Sequence, residues 1–575
     1  MIHDISTTGI LISDLKIGVV SSVAAQYVKV NLAHAGEVSG HYMDLNRYGK
    51  GEVGELVLIE AQQTILLGRI IEISLPDRDR SEISQDFDGL SKVDAIGIIR
   101  LLGSIHPVLL KVQAGISAYP RLGDRIFSAP GQFVSMIPLL THNGIETRAP
   151  AVSLELGVVS GEDGFPISVT PERLFGRHCA ILGSTGGGKS WTTAKIIQEC
   201  RKYRAKIVLL DATSEYRSLS GEDVSHCHLG APLHQALNSI EIRIPPSDFN
   251  EGDFIALFQP SGKTQGPKLR EAIKSLRLAK LAPELATDGY FPKVNQPRFN
   301  YRQALNTGNN AKLVDNPAQE FDVSLLVRQV VEECCFPEDL RRPDHWGGAS
   351  NELSYCSSLL TRILGVIGST SLSCVFSPEP QLPSLSDKMD AFLAGSESVL
   401  RICMSSIGYE FGAREVIANA IGRMLLHRAR DEAFRNSPLL VILDEAHNFL
   451  GKSLGEEDYV MNLDAFELIA KEGRKYGLNI CLATQRPRDI TEGVLSQMGT
   501  LLVHRLTNDR DREVVERACG EIDRSAAAFL PNLKQGEVAM VGVDFPIPVT
   551  IQIDKPTQRP YSDGPSYQEL WGTEH

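Results

Sequence analysis

Residues 181–193 read ILGSTGGGKSWTT: four glycines, a lysine and several hydroxyl residues after a short apolar run. Gly183, Gly188, Lys189 and Ser190 stand at the spacing G-x-x-x-x-G-K-[ST], and the chemistry of that spacing is phosphate binding. Glycines let the backbone turn its N–H groups toward phosphate oxygens, and the N-terminus of the following helix adds positive potential. The nucleotide-holding stretch is therefore Gly183, Ser184, Thr185, Gly186, Gly187, Gly188, Lys189, Ser190 and Trp191. Lys189 is expected on the β- and γ-phosphates and Ser190 on magnesium.

Three more stretches carry chemistry. LLVILDEAHNFL (439–450) is an apolar strand that delivers Asp444 and Glu445 at its C-terminal end, where ligands sit in open α/β sheets. Asp444 is expected to hold magnesium through water, and Glu445 to polarise the attacking water. His447 beside them reads as a packing or helix-cap residue, with coupling of nucleotide state to neighbouring contacts as the alternative. ATQRP (483–487) puts the Gln485 amide after another apolar strand, able to reach a γ-phosphate or the water. EGRKYG (472–477) is a tight basic turn. It either presents Arg474 to a phosphate, including one on a neighbouring subunit, or is a solvated helix end whose cations complement the dipole.

The string DEAH invites a two-lobed helicase assignment. The chain after Glu445 is too short for a second lobe, so a single lobe must borrow its second wall from another copy, which points to a ring. No N-K-x-D sequence reads guanine, so the expected cofactors are ATP and Mg2+.

The elements that position these residues follow from patterning. Short β segments broken by Gly, Pro and Asp fill residues 1–150: IGVVSSV (17–23), YVKVNLA (27–33), GELVLIEA (54–61), ILLGRIIEI (65–73) and VLLKVQAGI (108–116). They predict a small barrel, with 75–89 as an exposed polar loop. Residues 151–555 alternate strand and helix around HCAILG, KIVLLDA, SVLRICMS, PLLVILDEA, NICLAT and TLLVHRL, and close with a hairpin of GEVAMVG and PVTIQID. Continuous apolar runs of this kind suit parallel strands buried on both faces. Helical periodicity between about 225 and 395 predicts a helical insertion, and 556–575 reads as a polar tail. One insertion helix places Arg270, Lys274 and Arg277 on one face, a DNA-contacting stripe or an ordinary solvated face opposite Leu269, Ile273 and Leu276. The fold class is thus α/β: a P-loop ATPase domain with a helical insertion, preceded by a small β-barrel.

Composition sets bounds. Hydrophobic residues make up 42% and charged residues 22%, an ordinary globular balance with material for a core. A net charge of −13 argues against nucleic acid bound over the whole outer surface, though not against DNA in a local basic channel. The ten cysteines include no CxxC pair, which suits a reducing compartment. With no signal-peptide pattern and no apolar run of about 20 residues, the expected location is cytoplasmic, away from membrane.

The order barrel, STGGGKS, LLDATSEY (209–216), LDEAHNF, EGRKYGL and ATQRP resembles the HerA family of the HerA/FtsK group of ring ATPases, over nearly the whole chain. The resemblance implies a RecA-like ATPase domain, a homohexamer, and ATP-driven translocase or helicase activity on double-stranded DNA. It gives Lys189 and Ser190 to phosphate and magnesium, Asp444 and Glu445 to the acidic pair, Gln485 to a sensor, and Arg474 to a trans-acting arginine. Glu215 matches an acidic position of open role. Family members implied as relatives work with a partner nuclease or a sirtuin-type, NAD-hydrolysing effector in anti-phage defence, or with a NurA-type nuclease in DNA-end resection. A ring scaffold that uses ATP to assemble an effector is the alternative from another class. A membrane-tethered DNA pump of the FtsK or conjugation type is disfavoured by the lack of a span.

Overall fold

The computed structural model describes residues 9–32, 41–43, 46–49, 51–75, 95–141, 151–161, 164–379, 381–450, 452–454, 460–519, 524–562, 564, 567 and 571. The loop expected over 75–89 lies, from residue 76 on, outside them. The chain divides into two units, Met1–Arg204 with Ile480–His575, and Ala205–Asn479.

Alternating burial builds the first part of the first unit. Tyr27–Leu32, for example, sends every second side chain inward. Strands Tyr27–Leu32, Lys16–Val23, Arg125–Ser128, Leu56–Glu60, Ile65–Ser74 and Ala95–Ile105 pair antiparallel in that order. Pairing of Tyr27–Leu32 with Ala95–Ile105 closes the ring into a six-stranded barrel, which leaves no open edge on those strands. Val28, Val30, Val57, Ile59, Leu66, Ile70, Ile99 and Ile126 fill its interior. Two details differ from the sequence expectation. Ala95–Ile105 is a full strand, and the run from 108 forms a strand only over Val112–Ala114, where it pairs with Ile105, Ser104 and Gly103. Val108 and Leu109, 78% and 51% exposed, lie in the turn that joins these two strands, which the His106 N–H closes by donating to the Lys111 carbonyl (2.9 Å).

The rest of this unit is a mixed sheet. Cys179–Leu182 pairs parallel with Leu478–Thr484 on one side and Thr500–Val503 on the other. Beyond Thr500–Val503 run the antiparallel strands Glu537–Gly542, Phe545–Ile553, Leu154–Val159 and Pro166–Val169. All four residues of CAIL are buried, as a strand covered on both faces requires. Both neighbours of the strand that leads into the glycine loop are thus strands other than the one ending in Asp444, as in RecA-like sheets. The expected closing hairpin is Glu537–Gly542 with Phe545–Ile553. The start of the expected tail is pinned: the Thr557 N–H donates to Gln198 (2.8 Å) and Arg201 to Gln558 (2.9 Å).

In the second unit, Leu439–Leu443, Lys206–Asp211, Val399–Cys403, Val224–Leu229 and Ile240–Ile242 form a parallel run. The stretch expected to be helical from about 225 therefore opens with two short strands. Its helices include Glu251–Phe258, Gly262–Leu281, Leu326–Glu333, Ser357–Ile367 and Leu385–Ala394. The first begins with a capping box in which Asn250 and Asp253 exchange backbone hydrogen bonds, satisfying two amides that a helix start leaves open. All ten cysteines are buried free thiols. Among the described residues no single helix is long and apolar enough to cross a membrane.

Candidate functional site

Strand Cys179–Leu182 ends at the glycine loop, and helix Lys189–Arg201 begins where the loop ends. Gly188 caps that helix at φ 111°, a backbone conformation that L side chains rarely adopt. Gly183 is needed for another reason: a Cβ there would sit 2.5 Å from the Cβ of His504. The loop is anchored at its start and folded back on itself. The Ser184 N–H donates to the Arg505 carbonyl (3.1 Å), and the Gly187 N–H to the Ser184 carbonyl (3.1 Å). Lys189 is buried and its ammonium donates to the Ser184 carbonyl (3.2 Å), so the cation lies folded over the loop. Trp191 is half-buried with the Arg559 guanidinium 5.7 Å from its ring centre. Gln485, one residue past strand Leu478–Thr484, accepts a hydrogen bond from the Thr185 hydroxyl (2.5 Å), which brings it onto the loop.

In the second unit, the fully buried strand Leu439–Leu443 delivers Asp444, which is 4% exposed. Its carboxylate has the hydroxyls of Thr213 (3.5 Å) and Tyr216 (3.4 Å) beside it. Glu445 turns into the left-handed region at φ 49°, ψ 48°. Its carboxylate sits 3.2 Å from Nδ1 of His447. Arg474 lies exposed on the turn Gly473–Tyr476. Glu215 is half-buried, and its backbone N–H donates to Asp211 (3.2 Å).

Sequence reasoning missed the device that shapes this second cluster. Asp211 accepts from the backbone N–H groups of Thr213 (3.3 Å), Glu215 (3.2 Å) and Tyr216 (3.0 Å), holding the DATSEY turn. Arg401 donates to Asp211 (2.7 Å) and to the Ser214 hydroxyl (3.0 Å), with both charged side chains at most 1% exposed. An arginine inside the apolar run SVLRICMS was the signal for a buried acidic partner, since a charge at such a position needs one. Removing one member of a buried pair costs about 3–5 kcal/mol. Arg401→Met is therefore expected to lower the melting temperature by on the order of 10 °C. The double variant with Asp211→Asn should recover part of that loss in the same thermal scan.

The basic stripe on helix Gly262–Leu281 is not presented as such. Arg270 pairs with Glu251, Lys274 pairs with Asp315 at 2.6 Å, and Arg277 is buried. Arg277 donates to the carbonyls of Val314, Pro317 and Gln319, and burial pushes its pKa down.

The residues fit nucleotide and magnesium. The loop supplies glycine backbone, one buried lysine and the Ser190 hydroxyl. Among the described residues no group of three or more His, Cys, Asp or Glu could hold a metal. Magnesium is held by nucleotide phosphates with one or two protein oxygens, and the Ser190 hydroxyl beside the loop is an oxygen of that kind.

Fold and loop together define a P-loop ATPase of RecA-like type. Residues 154–313 match the family model "Helicase HerA, central domain". The chain is 23% identical over 492 residues to the DNA double-strand break repair helicase HerA of Sulfurisphaera tokodaii, covering 84% of this chain and 86% of that one. It is 27% identical over 401 residues to the protein of the same name from Sulfolobus acidocaldarius, covering 69% and 68%. Among solved structures, VirB4 of Thermoanaerobacter pseudethanolicus matches at a TM-score of 0.44 and 16% identity, covering 71% of this chain and 97% of that one. Residues 154–313 are thus similar to the central domain of HerA helicases, and the similarity to HerA proteins extends over most of the chain.

Proposed function

We propose that this protein hydrolyses ATP with Mg2+ and uses the energy to move double-stranded DNA through a homohexameric ring. The observation that carries the reading is the glycine loop between strand and helix, with Lys189 folded onto it and Gln485 meeting it at Thr185. Backbone N–H groups of 183–190 and the Lys189 ammonium bind the phosphates, and the Ser190 hydroxyl and the Asp444 carboxylate hold magnesium. The metal supplies charge neutralisation on the phosphates. Glu445 takes the proton of the attacking water, Gln485 senses the γ-phosphate, and Arg474 reaches a phosphate of the neighbouring subunit.

DNA enters the proposal from the relatives named as DNA double-strand break repair helicases. With a net charge of −13, DNA contact belongs in a channel rather than on the outer surface. The proposed setting is work with a partner nuclease or a sirtuin-type effector in anti-phage defence. A DNA-end resection motor paired with a NurA-type nuclease is the other setting, and it agrees with the names of the relatives. One observation favours a second reading, an ATP-binding ring scaffold. The cations of the basic helix face are already engaged by Glu251, Asp315 and backbone carbonyls.

The deciding test is ATP hydrolysis with and without double-stranded DNA, with Lys189→Ala as the blank. DNA is expected to raise the rate several-fold. A rate indifferent to DNA, and raised only by an added partner protein, would replace the motor with the scaffold.

A further inference from the structure

His504, one residue past strand Thr500–Val503, is 0% exposed. Its backbone N–H donates to the Leu182 carbonyl (2.7 Å), at the end of the strand that leads into the glycine loop. The next carbonyl, of Arg505, accepts from both the backbone N–H (3.1 Å) and the hydroxyl (3.0 Å) of Ser184. Two consecutive residues thereby clamp the start of the loop.

The imidazole then forms part of the loop's floor. Built Cβ atoms on Gly183, Gly187 and Gly188 would lie 2.5, 3.4 and 3.1 Å from atoms of His504. Three of the four loop glycines thus face this one side chain: Gly183 and Gly187 lie over its Cβ, where a Cβ on Gly183 would overlap, and Gly188 lies over the ring's Cε1. Its Nε2 is 2.9 Å from the hydroxyl of Thr192, in the first turn of helix Lys189–Arg201. Strand end, loop and helix start are joined through one ring.

The ring is also uncharged. Burial first, and the nearby Lys189 ammonium second, push its pKa down to about 3, against weaker upward pulls from the Glu537 and Gly187 backbone. A protonated ring here would set a second buried cation against Lys189. A neutral one fills the volume without competing for phosphate.

We propose that His504 is a positioning residue for nucleotide: its ring, tied to Thr192, holds the glycine loop in the conformation that receives the phosphates. The proposal rests on the ATPase reading above, and the experiment separates the two.

Full-length wild type, His504→Leu, His504→Gln, Thr192→Val and the double variant Thr192→Val/His504→Leu are assayed for KM and kcat with MgATP, and for melting temperature without nucleotide. Loss of the ring's hydrogen bond and fit is expected to raise KM about tenfold in His504→Leu, with kcat changed less than about threefold. Glutamine can place an amide near the Nε2 position, so His504→Gln should return KM to within about threefold of wild type. The double variant should be no worse than His504→Leu, because both changes break the same link. A merely structural role lowers the melting temperature and leaves the KM of the folded fraction at the wild-type value, and that result overturns the proposal. If His504→Leu fails to fold, Thr192→Val decides: a raised KM supports the link and an unchanged KM overturns it. Wild type that neither binds nor hydrolyses ATP would sink the ATPase reading and this proposal together. Wild-type activity with an unaltered KM in both His504→Leu and Thr192→Val would sink this one alone.

Discussion

Glu445→Gln is expected to lower kcat for ATP by about 10²–10⁴-fold, the usual contribution of a general base, while ATP binding stays within a few-fold of wild type. The local structure gives the reason. The five residues of Leu439–Leu443 are all buried, and the Asp444 N–H still pairs with the Leu210 carbonyl (3.1 Å), so the strand geometry runs through Asp444. At Glu445 the backbone leaves it for φ 49°, ψ 48°. A residue with a Cβ pays about 1–2 kcal/mol for that region, and such strain persists where surrounding structure over-determines it. The backbone at Glu445 thus departs from the strand geometry that carries Asp444, and the Glu445 carboxylate lies 3.2 Å from Nδ1 of His447. Glutamine keeps the size and the hydrogen-bonding reach but cannot take a proton at neutral pH. Steady-state rates beside equilibrium binding of a fluorescent ATP analogue read the two effects separately. Hydrolysis at the wild-type rate in Glu445→Gln would remove Glu445 from the chemistry.

What the sequence made legible depended on how local the cause is. The glycine loop, the strand before it and the helix after it are set by residues within one short window, and ILGSTGGGKS exposed all three. The alternation in YVKVNL and the short apolar run ILLGRIIEI likewise exposed barrel strands. Ala95–Ile105 was missed because two of its inward positions are glycines, Gly97 and Gly103, and only its antiparallel partners on both sides make it a strand. Arg277 shows the same limit in the insertion. Its spacing placed it on a cationic face, but its guanidinium is met by three carbonyls from a loop about 40 residues later in the chain. Asp211 with Arg401, and His504 with the loop glycines, are contacts between residues about 190 and about 320 positions apart. No periodicity records such pairs; only a charged or polar residue inside an apolar run hints at them.

Arg474→Ala is expected to lower ATP hydrolysis by about 10³-fold or more with little change in ATP binding, the signature of an arginine that acts on the transition state. Its setting is compatible with reaching outward. Helix Ala465–Glu472 ends in the turn Gly473–Tyr476, kept tight by Gly473, where a Cβ would lie 2.6 Å from the Leu478 carbonyl. Glu472, the nearest acid along the chain, is occupied by Arg430 and Lys475, while Arg474 itself stands exposed. A cation serving only the helix dipole contributes about 0.3–1 kcal/mol to stability and nothing to turnover, so the size of the rate loss separates the two roles. Mixing then tells whether the arginine serves its own subunit or the next. Glu445→Ala and Arg474→Ala subunits are each inactive alone. If Arg474 acts across a boundary, an equal random mixture brings an intact Glu445 and a neighbour's intact Arg474 together at about one site in four, and that fraction of the activity returns. If it acts within its own subunit, every site in the mixture lacks one group or the other. The mixed ring then stays as inactive as its parts, and the trans-acting assignment is lost.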